Sequence, residues 1–199
     1  REVRLDAFSM DVHEVTNAQY NACITARRCT PPARTEALND GSKSDFPVVW
    51  VNQVQGDMYC AWAGGRLPTE AEWERAARGD EPLSAGRRYP WGGMAPTGCN
   101  FGNLASCGQG GPVAVQSYDG DVTENGVYDM GGNVHEHVRG WYAEGYYASA
   151  PMANPMGPAG PDSLERVPKR GGSFRSAPEA STLFFRGAGD DFYIRRTYA

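Results

Sequence analysis

Three serines follow a pair of glycines in the segment KRGGSFRSAPEAST, residues 169–182, and a serine hydroxyl becomes a nucleophile when a base activates it. That base must lie within hydrogen-bonding reach, and the chain has only three histidines, at positions 13, 135 and 137. The segment also lacks the GxSxG pattern of a nucleophile elbow. We therefore predict that the glycines permit a tight turn here and that the serines make local hydrogen bonds.

Five cysteines are the other reactive side chains, and two pairs of them are close in sequence. Cys23 and Cys29 could close one small loop, and Cys99 and Cys107 could close another. Cys60 is left over in an apolar, helical context. Two local disulfides and one buried thiol indicate an oxidising compartment, and five reduced cysteines in a cytosolic protein are the alternative. Zinc is disfavoured because no pair has CxxC spacing and histidines are few.

The composition indicates one domain with many turns. The 199 residues include 25 glycines and 14 prolines, which interrupt long helices and strands. With 40% hydrophobic residues the chain can bury a core, and its net charge of −5 excludes the basic footprint of a nucleic-acid-binding protein. No apolar run has transmembrane length, and no signal-peptide pattern is present. We expect disulfides, bound ions and aromatic packing to hold the loops.

Helix signals are confined to the first part of the chain. Thr16 begins a capping box for a helix expected over residues 17–27. Apolar residues at helical spacing follow over 54–62. Thr69 caps a better-marked helix that Gly79 ends, with glutamates early and arginines late in the helix.

Strand signals are short and scattered. Apolar residues alternate over residues 1–15, which indicates a strand or two. Further short apolar runs lie between glycine turns at 113–115, 127–130 and 166–174. Together with the early helices, these runs predict an α+β protein with a small, irregular antiparallel sheet.

Six motifs occur in order along the chain: MDVHEVTNAQY (10–20), FPVVWVNQVQGDMYCAWAGGRLPTEAEWERAARG (46–79), YPWG (89–92), NGVYDMGGNVHEHVRGWY (125–142), NPMGP (154–158) and RVPKRGGSF (166–174). In these residues the sequence resembles the formylglycine-generating enzyme family, whose domain is also called the sulfatase-modifying-factor domain. Because the motifs span nearly the whole chain, the resemblance implies one domain over residues 1–199. It implies a coil-rich, C-type-lectin-like α+β fold with two main helices and short antiparallel strands.

The resemblance also indicates what the serines replace. Oxidising members of the family carry two cysteines after this GGS turn, which bind Cu(I) and activate oxygen to convert a substrate cysteine into formylglycine. The corresponding residues here are Ser176 and Ser181. A hydroxyl is a hard, neutral ligand that cannot replace a soft thiolate on Cu(I). We therefore expect no catalytic residues, no bound copper and no oxidase activity.

The segment DMGGNVHEH, residues 129–137, resembles a calcium site of the family. The resemblance implies four ligands: the side chains of Asp129 and Glu136 and the backbone carbonyls of Gly132 and Val134. Hard oxygen ligands and two carboxylates suit Ca²⁺. The alternative is a turn in which the two carboxylates bond to backbone amides or arginines.

Two departures from the family pattern bear on metal binding. A second family calcium site would begin at Asn100 and Phe101, but its acidic ligand should fall within 105–112, where ASCGQGGP has no carboxylate. A disulfide between the bracketing cysteines could clamp that loop instead. His135 and His137 replace the usual aromatic pair, and we expect ordinary, partly exposed histidines there rather than a transition-metal site.

Aromatic residues gather late in the chain, and loops on a rigid scaffold are where folds of this kind recognise partners. We predict a ligand-binding face made by Trp141, Tyr146, Phe174, Arg175, Phe185 and Arg186. A core with a few exposed rings is the alternative. The family pattern closes with a further strand, and since this sequence stops at RRTYA we expect that strand to be missing or to lie outside these residues; its absence would leave a sheet edge unpaired.

The resemblance supports two classes of function. We expect a bacterial, non-catalytic binding module that is stabilised by calcium and takes a protein, peptide or glycan ligand. The alternative is an enzyme of the family whose iron- or copper-dependent oxidative chemistry needs a partner domain, or the sensor domain of a kinase-linked protein, which the insertion CITARRCTPP (23–32) resembles. We expect the protein to be extracytoplasmic, periplasmic or secreted, and to be part of a larger chain.

Overall fold

Helices lie mainly in the first half of the molecule, whose computed structural model describes residues 2–80, 86–161 and 164–190. Three helices have nine or ten residues: α1 (Asn17–Thr25), α2 (Gln53–Trp62) and α3 (Glu70–Arg78). A fourth, α4 (Tyr146–Ser149), is a single turn. The three longer helices coincide with the three helical segments predicted from capping boxes and apolar spacing. The family resemblance implied only two main helices.

Each of the three longer helices begins at a capping box. The side chain of the N-cap residue accepts a hydrogen bond from the amide three positions later, and the side chain at that position bonds back to the N-cap amide. The three pairs are Thr16 with Gln19, Asn52 with Gln55, and Thr69 with Glu72. α1 ends two residues before its predicted limit because Arg27, at φ 58°, has left the right-handed helical region.

A three-stranded antiparallel sheet lies in the second half of the chain. It contains β1 (Glu136–His137), β2 (Arg166–Arg170) and β3 (Gly187–Asp190), in the order β1-β2-β3. The register pairs Glu136 with Arg170, and β3 continues the pairing along the other edge of β2. This pairing places the segment that precedes β1, residues 129–135, beside the central strand. The prediction about the family's final strand falls on residues that lie outside the described ranges.

Several predicted strands are not formed. Residues 2–15 make one isolated bridge, and residues 113–115 and 127–130 make no ladder. Their amides bond singly to scattered partners; the amide of Tyr128, for example, donates to the carbonyl of Val12 at 2.8 Å. Residues 127–129 pair only with 121–123, through one isolated antiparallel bridge between Val122 and Tyr128. A strand of a sheet also needs a neighbour in register over several residues, which these segments lack.

Two apolar clusters form the core. The larger lies between α3 and the sheet, and it consists of Trp73, Ala76, Ala77, Val127, Met130, Val138 and Leu183. The smaller joins α1 to α2 through Tyr20, Tyr59 and the cysteines at 23 and 29. Both clusters are small, so the long loops depend on other restraints.

Disulfides provide part of that restraint. The structure contains both predicted bridges, Cys23–Cys29 beside α1 and Cys99–Cys107 in the loop that follows α3, and Cys60 is a free thiol. None of the helices in the three described ranges has the length and apolar character needed to cross a bilayer.

Candidate functional site

The serine-rich turn is held together by its own atoms. The hydroxyls of Ser173 and Ser176 are 3.1 Å apart and share a hydrogen bond, and the amide of Arg175 donates to Ser173 Oγ at 3.3 Å. Ser181 is fully buried, and its Oγ lies 2.9 Å from the point where a Cβ on Gly172 would stand. No histidine or carboxylate among the described residues hydrogen-bonds to Ser176 or Ser181, so neither hydroxyl has a base within reach.

The loop before β1, residues 129–135, is tightly wound, and we call it the acidic loop. Asp129 and Asn133 both have left-handed backbones, at φ 62° and 52°, a conformation that Asp and Asn tolerate better than other side chains. Asp129 is buried, and its Oδ2 accepts a hydrogen bond from the amide of Gln116 at 2.8 Å. Glu136, the first residue of β1, accepts a hydrogen bond from the indole N–H of Trp73. One oxygen of each carboxylate therefore remains for another partner.

Glu14, which was not singled out from the sequence, lies behind this loop. Its two carboxylate oxygens accept hydrogen bonds from Asn133 Nδ2 at 2.7 Å and from the amide of Val134 at 3.0 Å. Burial raises the pKa of Glu14 well above its usual range, and the nearby charges of Asp129 and Glu136 raise it further. A carboxylate between the two valines of the VHEV stretch was the available signal for this residue.

The same crowding acts on the predicted calcium ligands. Burial raises the pKa of Glu136 to about 7, the Trp73 hydrogen bond and Arg170 lower it, and Asp129 raises it. Burial also raises the pKa of Asp129, while the Gln116 amide and His13 lower it. These directions mark a buried region that holds more negative than positive charge.

The donor set fits a hard cation only if backbone oxygens contribute. Within the described ranges no three His, Cys, Asp or Glu side chains come close enough to hold a metal ion among themselves. The carbonyls of Gly132 and Val134 accept no hydrogen bond from any described residue. Two carboxylates and two free carbonyls are the donors that Ca²⁺ takes, so the residues present fit the predicted ligand set.

The two histidines of the HEH segment have different surroundings. His137 Nε2 is 3.1 Å from the carbonyl of Val51, to which it can donate, and burial lowers the pKa of this imidazole to about 4. His137 Nδ1 is buried without a hydrogen-bond partner among the described residues. His135 is exposed. His135 is thus the more exposed of the two residues, and His137 is only partly exposed.

The predicted second calcium site lies in the Cys99–Cys107 loop. The ring of Phe101 stacks on Trp91 at a centroid distance of 5.6 Å, and Asn100 is exposed. The carbonyl of Asn100 lies 2.2 Å from the point where a Cβ on Gly120 would stand, so this loop touches the segment around residue 120. Two carboxylates flank Gly120, and the buried one is Asp121, which was missed from the sequence because DGD is typical of an ordinary turn.

Part of the predicted ligand face is occupied by structural contacts. Arg186 pairs with Glu70 through two hydrogen bonds of 3.0 and 2.7 Å. Its guanidinium also lies over the ring of Tyr142 at 4.9 Å and donates to the carbonyls of Ala143 and Glu144. Arg186 thus fixes the segment that leads into α4, which carries the predicted Tyr146.

The other predicted contact residues are more accessible. Arg175 is exposed and lies over the ring of Phe174 at 5.2 Å. Phe184 and Phe185 are 50% and 36% exposed although Leu183 beside them is fully buried. Trp141 is half-buried at the start of the segment that Arg186 fixes. The described ring contacts place Phe174 with Arg175 in one group, and Tyr142 and Tyr147 with Arg186 in another.

The small antiparallel sheet, the few helices and the acidic loop before β1 define a C-type-lectin-like fold of the formylglycine-generating-enzyme type. The model of the family described as "Sulfatase-modifying factor enzyme 1-like domain" matches residues 1–196. The chain belongs to this family, and the resemblance stated from the motifs is confirmed.

Three known proteins illustrate the range of the family and its fold. A formylglycine-generating enzyme of Streptomyces coelicolor is 40% identical over 152 residues, which are 68% of this chain and 46% of that protein. Serine/threonine-protein kinase Pkn1 of Chlamydia trachomatis is 31% identical over 215 residues, 98% of this chain and 33% of that protein. The solved structure of Treponema denticola variable protein 1 has a TM-score of 0.71 at 19% identity, over 95% of this chain and 81% of that chain, and shows the shared fold. The chain thus spans less than half the length of both curated relatives.

Proposed function

We propose that this domain is a non-catalytic binding module, built on the scaffold of the formylglycine-generating enzymes and stabilised by calcium. The observation that carries the proposal is the presence of Ser176 and Ser181 where oxidising members of the family have the cysteines that bind Cu(I). Hydroxyl oxygens do not hold Cu(I), and Ser181 is in addition packed against Gly172 without access to solvent.

Calcium would occupy the acidic loop before β1. The side chains of Asp129 and Glu136 and the carbonyls of Gly132 and Val134 would hold it, and its charge would offset the two buried carboxylates. An ion there would tie the loop to β1 and so to the central strand of the sheet. Its role is structural, because it restrains a fold in which helices and strands are short.

Ligand contacts would come from the C-terminal loops. The adjacent rings of Phe184 and Phe185 and the exposed guanidinium of Arg175 are the accessible groups there. Aromatic and arginine side chains contribute most of the binding energy in protein interfaces. A protein, peptide or glycan would suit such a surface, and the two disulfides favour an extracytoplasmic setting.

The direct test is an oxidase assay on the purified protein. A peptide with the cysteine motif of a sulfatase is incubated with the protein, Cu(I), oxygen and a reductant, and aldehyde formation is followed by mass spectrometry. The formylglycine-generating enzyme of Streptomyces coelicolor is the positive control. We expect no aldehyde with this protein, and turnover that is lost in the Ser176→Ala variant would contradict the proposal.

A second candidate function is the accessory or sensor domain of a kinase-linked protein. The observation that favours it is the similarity to Pkn1, which is 31% identical over 98% of this chain. An enzyme whose oxidative chemistry needs a partner domain is a third candidate. The coding sequence that flanks these residues separates the candidates: a kinase domain supports the second, and a metal-binding helical domain supports the third.

A further inference from the structure

We propose that the carboxylate of Asp121 and the backbone carbonyl of Gly131 hold a second hard cation of the Ca²⁺ type, separate from the calcium ion proposed at Asp129 and Glu136. Neither Asp121 nor Gly131 belongs to the ligand sets predicted from the sequence. The site would fix the segment around residue 120 against the loop that contains Gly102.

The first observation is that Asp121 is buried without compensation. The residue is 1% exposed, and neither of its carboxylate oxygens accepts a hydrogen bond from any described residue. The amide of Gly131 comes near, but its geometry is too poor for a hydrogen bond. An ionised carboxylate moved out of water without a partner is strongly destabilising, so the group must either bind a proton or lie beside a positive charge.

The backbone of Asp121 prevents the side chain from simply turning out to solvent. Its amide donates to the carbonyl of Tyr118 at 3.0 Å, and its carbonyl accepts from the amide of Asp129 at 3.3 Å. Both bonds fix the residue within the fold. The buried position of its carboxylate is therefore set by the surrounding structure.

The second, independent observation is the crowding of oxygen atoms around Gly102. A Cβ on this glycine, which has φ 133°, would stand 2.9 Å from Asp121 Oδ2 and 2.8 Å from the carbonyl oxygen of Gly131. The Gly131 carbonyl accepts no hydrogen bond from a described residue either. Two electron-rich oxygens thus lie close together beside Gly102, and carboxylate and carbonyl oxygens are the ligands that hard cations prefer.

The two proposed ions would be distinct. No three acidic, histidine or cysteine side chains in the described ranges converge on one metal position, so Asp121 does not share an ion with both Asp129 and Glu136. Asp129 and Glu136 each have a hydrogen-bond donor and, with one divalent ion, a matching charge. Asp121 has neither, and this imbalance is what the second ion would remove.

A count of bound calcium tests the proposal. The purified, EGTA-stripped protein is titrated with CaCl₂, and the bound ions are counted by native mass spectrometry. We expect two ions in the unmodified protein and one in Asp121→Asn, an isosteric change that removes the charge. Asp129→Asn should also retain one ion, and Asp119→Asn, a change at an exposed carboxylate two residues away, should retain two.

The same experiment can overturn the proposal in two ways. If Asp121→Asn binds as many ions as the unmodified protein, Asp121 is not a calcium ligand. The buried carboxyl group would then be protonated and donate to the Gly131 carbonyl, a hydrogen bond that the asparagine amide can also make. If the folded variant loses both ions, the two sites are one. If Asp129→Asn loses its calcium while Asp121→Asn retains all of it, this inference alone is refuted. The proposed function would still stand.

A measurement on the unmodified protein covers the case in which Asp121→Asn fails to fold. Crystals soaked in TbCl₃ are measured near the terbium absorption edge, since Tb³⁺ takes the same oxygen ligands as Ca²⁺. We expect an anomalous peak between Asp121 and the Gly131 carbonyl in addition to one at Asp129. A map with no peak beside Asp121 contradicts the second site.

Discussion

At the scale of single residues, one atom at each of positions 176 and 181 separates two chemistries. A thiolate is a soft anion that binds Cu(I), whereas a hydroxyl is neutral at any pH that a folded protein tolerates. The surrounding turn, with its two glycines and its local hydrogen bonds, is otherwise formed as the local sequence predicts. The proposed loss of oxidase chemistry therefore depends on these two side chains and not on the turn that carries them.

The double variant Ser176→Cys/Ser181→Cys tests this difference. We expect it to gain tight Cu(I) binding in a competition assay with a chromophoric chelator, because two thiolates then occupy the positions of the family's ligands. The single variant Ser181→Cys and the unmodified protein, both of which contain the free Cys60, serve as controls and should not compete. Equal Cu(I) binding in all three proteins would show that the ion binds elsewhere.

The charge of Glu136 gives a second prediction at this scale. In Glu136→Gln, calcium affinity should fall by at least about tenfold, since even loss of a supporting residue around a metal ligand has effects of that size. The readout is the calcium-induced increase in the melting temperature. Glu179→Gln, at an exposed position, is the matched control and should leave that increase unchanged. An unaltered calcium response in Glu136→Gln would exclude this carboxylate as a ligand.

The site could be predicted from sequence only where its residues are adjacent in the chain. Asp129 and Glu136 belong to one motif, and their pairing follows from the motif alone. Glu14 and Asp121 reach the same region through long-range packing, and a single carboxylate beside a strand-like stretch or within a DGD turn gives no sign of its burial. Sequence therefore indicated a cation site but not the extent of the buried negative charge around it.

At the scale of elements, α3 shows how local signals and long-range contacts combine. Its capping box is encoded by Thr69 and Glu72, and Glu72 also forms a two-bond ion pair with Arg66 at 2.7 and 2.6 Å. The Arg66 hydrogen bonds are the largest of the effects that lower the pKa of Glu72. A carboxylate with a lowered pKa contributes stability that is present above its unfolded value, near 4.5, and that is lost as pH falls through the folded value.

Two variants separate the cap from the charge. Glu72→Gln keeps a capping-box side chain, so it should lower the free energy of unfolding by less than about 1 kcal/mol at pH 7, as expected for a partly exposed ion pair. That difference should shrink as pH falls below about 4.5. Thr69→Ala should cost about 1 kcal/mol at both pH values. Urea denaturation at pH 7 and at about pH 3.5 measures both, and a Glu72→Gln penalty that grows in acid would contradict a lowered pKa of Glu72 in the folded protein.

The two arginines of the predicted ligand face should behave differently. Arg186 binds the buried carboxylate of Glu70 and two backbone carbonyls, so Arg186→Ala should destabilise the fold by about 2–4 kcal/mol. Arg175 is exposed and contacts the ring of Phe174, so Arg175→Ala should cost less than about 1 kcal/mol. Thermal denaturation of the two variants compares them, and equal losses would mean that both arginines serve the fold alike.

Helices and strands were not equally predictable at this scale. All three longer helices were marked by the residues because capping boxes and helical spacing are local properties. The strand expected over residues 1–15 was wrong, because a strand depends on a partner that its own sequence does not specify. Residues 166–170 do form β2, and there the partners on both sides come from distant parts of the chain.

At the scale of the whole molecule, the fold is held by several kinds of small restraint. Two modest apolar clusters, two disulfides and a buried ion-pair network around Arg170 and Glu70 connect short elements. A buried arginine stacked on Trp73 and close to two glutamates ties α3 to β2. The composition predicted that disulfides, ions and aromatic packing would be needed, since frequent glycine and proline exclude long helices and long strand ladders. Which residues form the buried ion pairs depends on tertiary contacts and could not be predicted.

Elemental analysis of the purified protein tests whether this domain is a calcium-stabilised binding module rather than a copper or iron enzyme. Inductively coupled plasma mass spectrometry on protein prepared without chelators and dialysed against metal-free buffer measures calcium, copper and iron per chain. We expect calcium in at least stoichiometric amount, with copper and iron at background. About one copper or iron per chain, bound without calcium, would contradict a calcium-stabilised binding module and favour an enzyme.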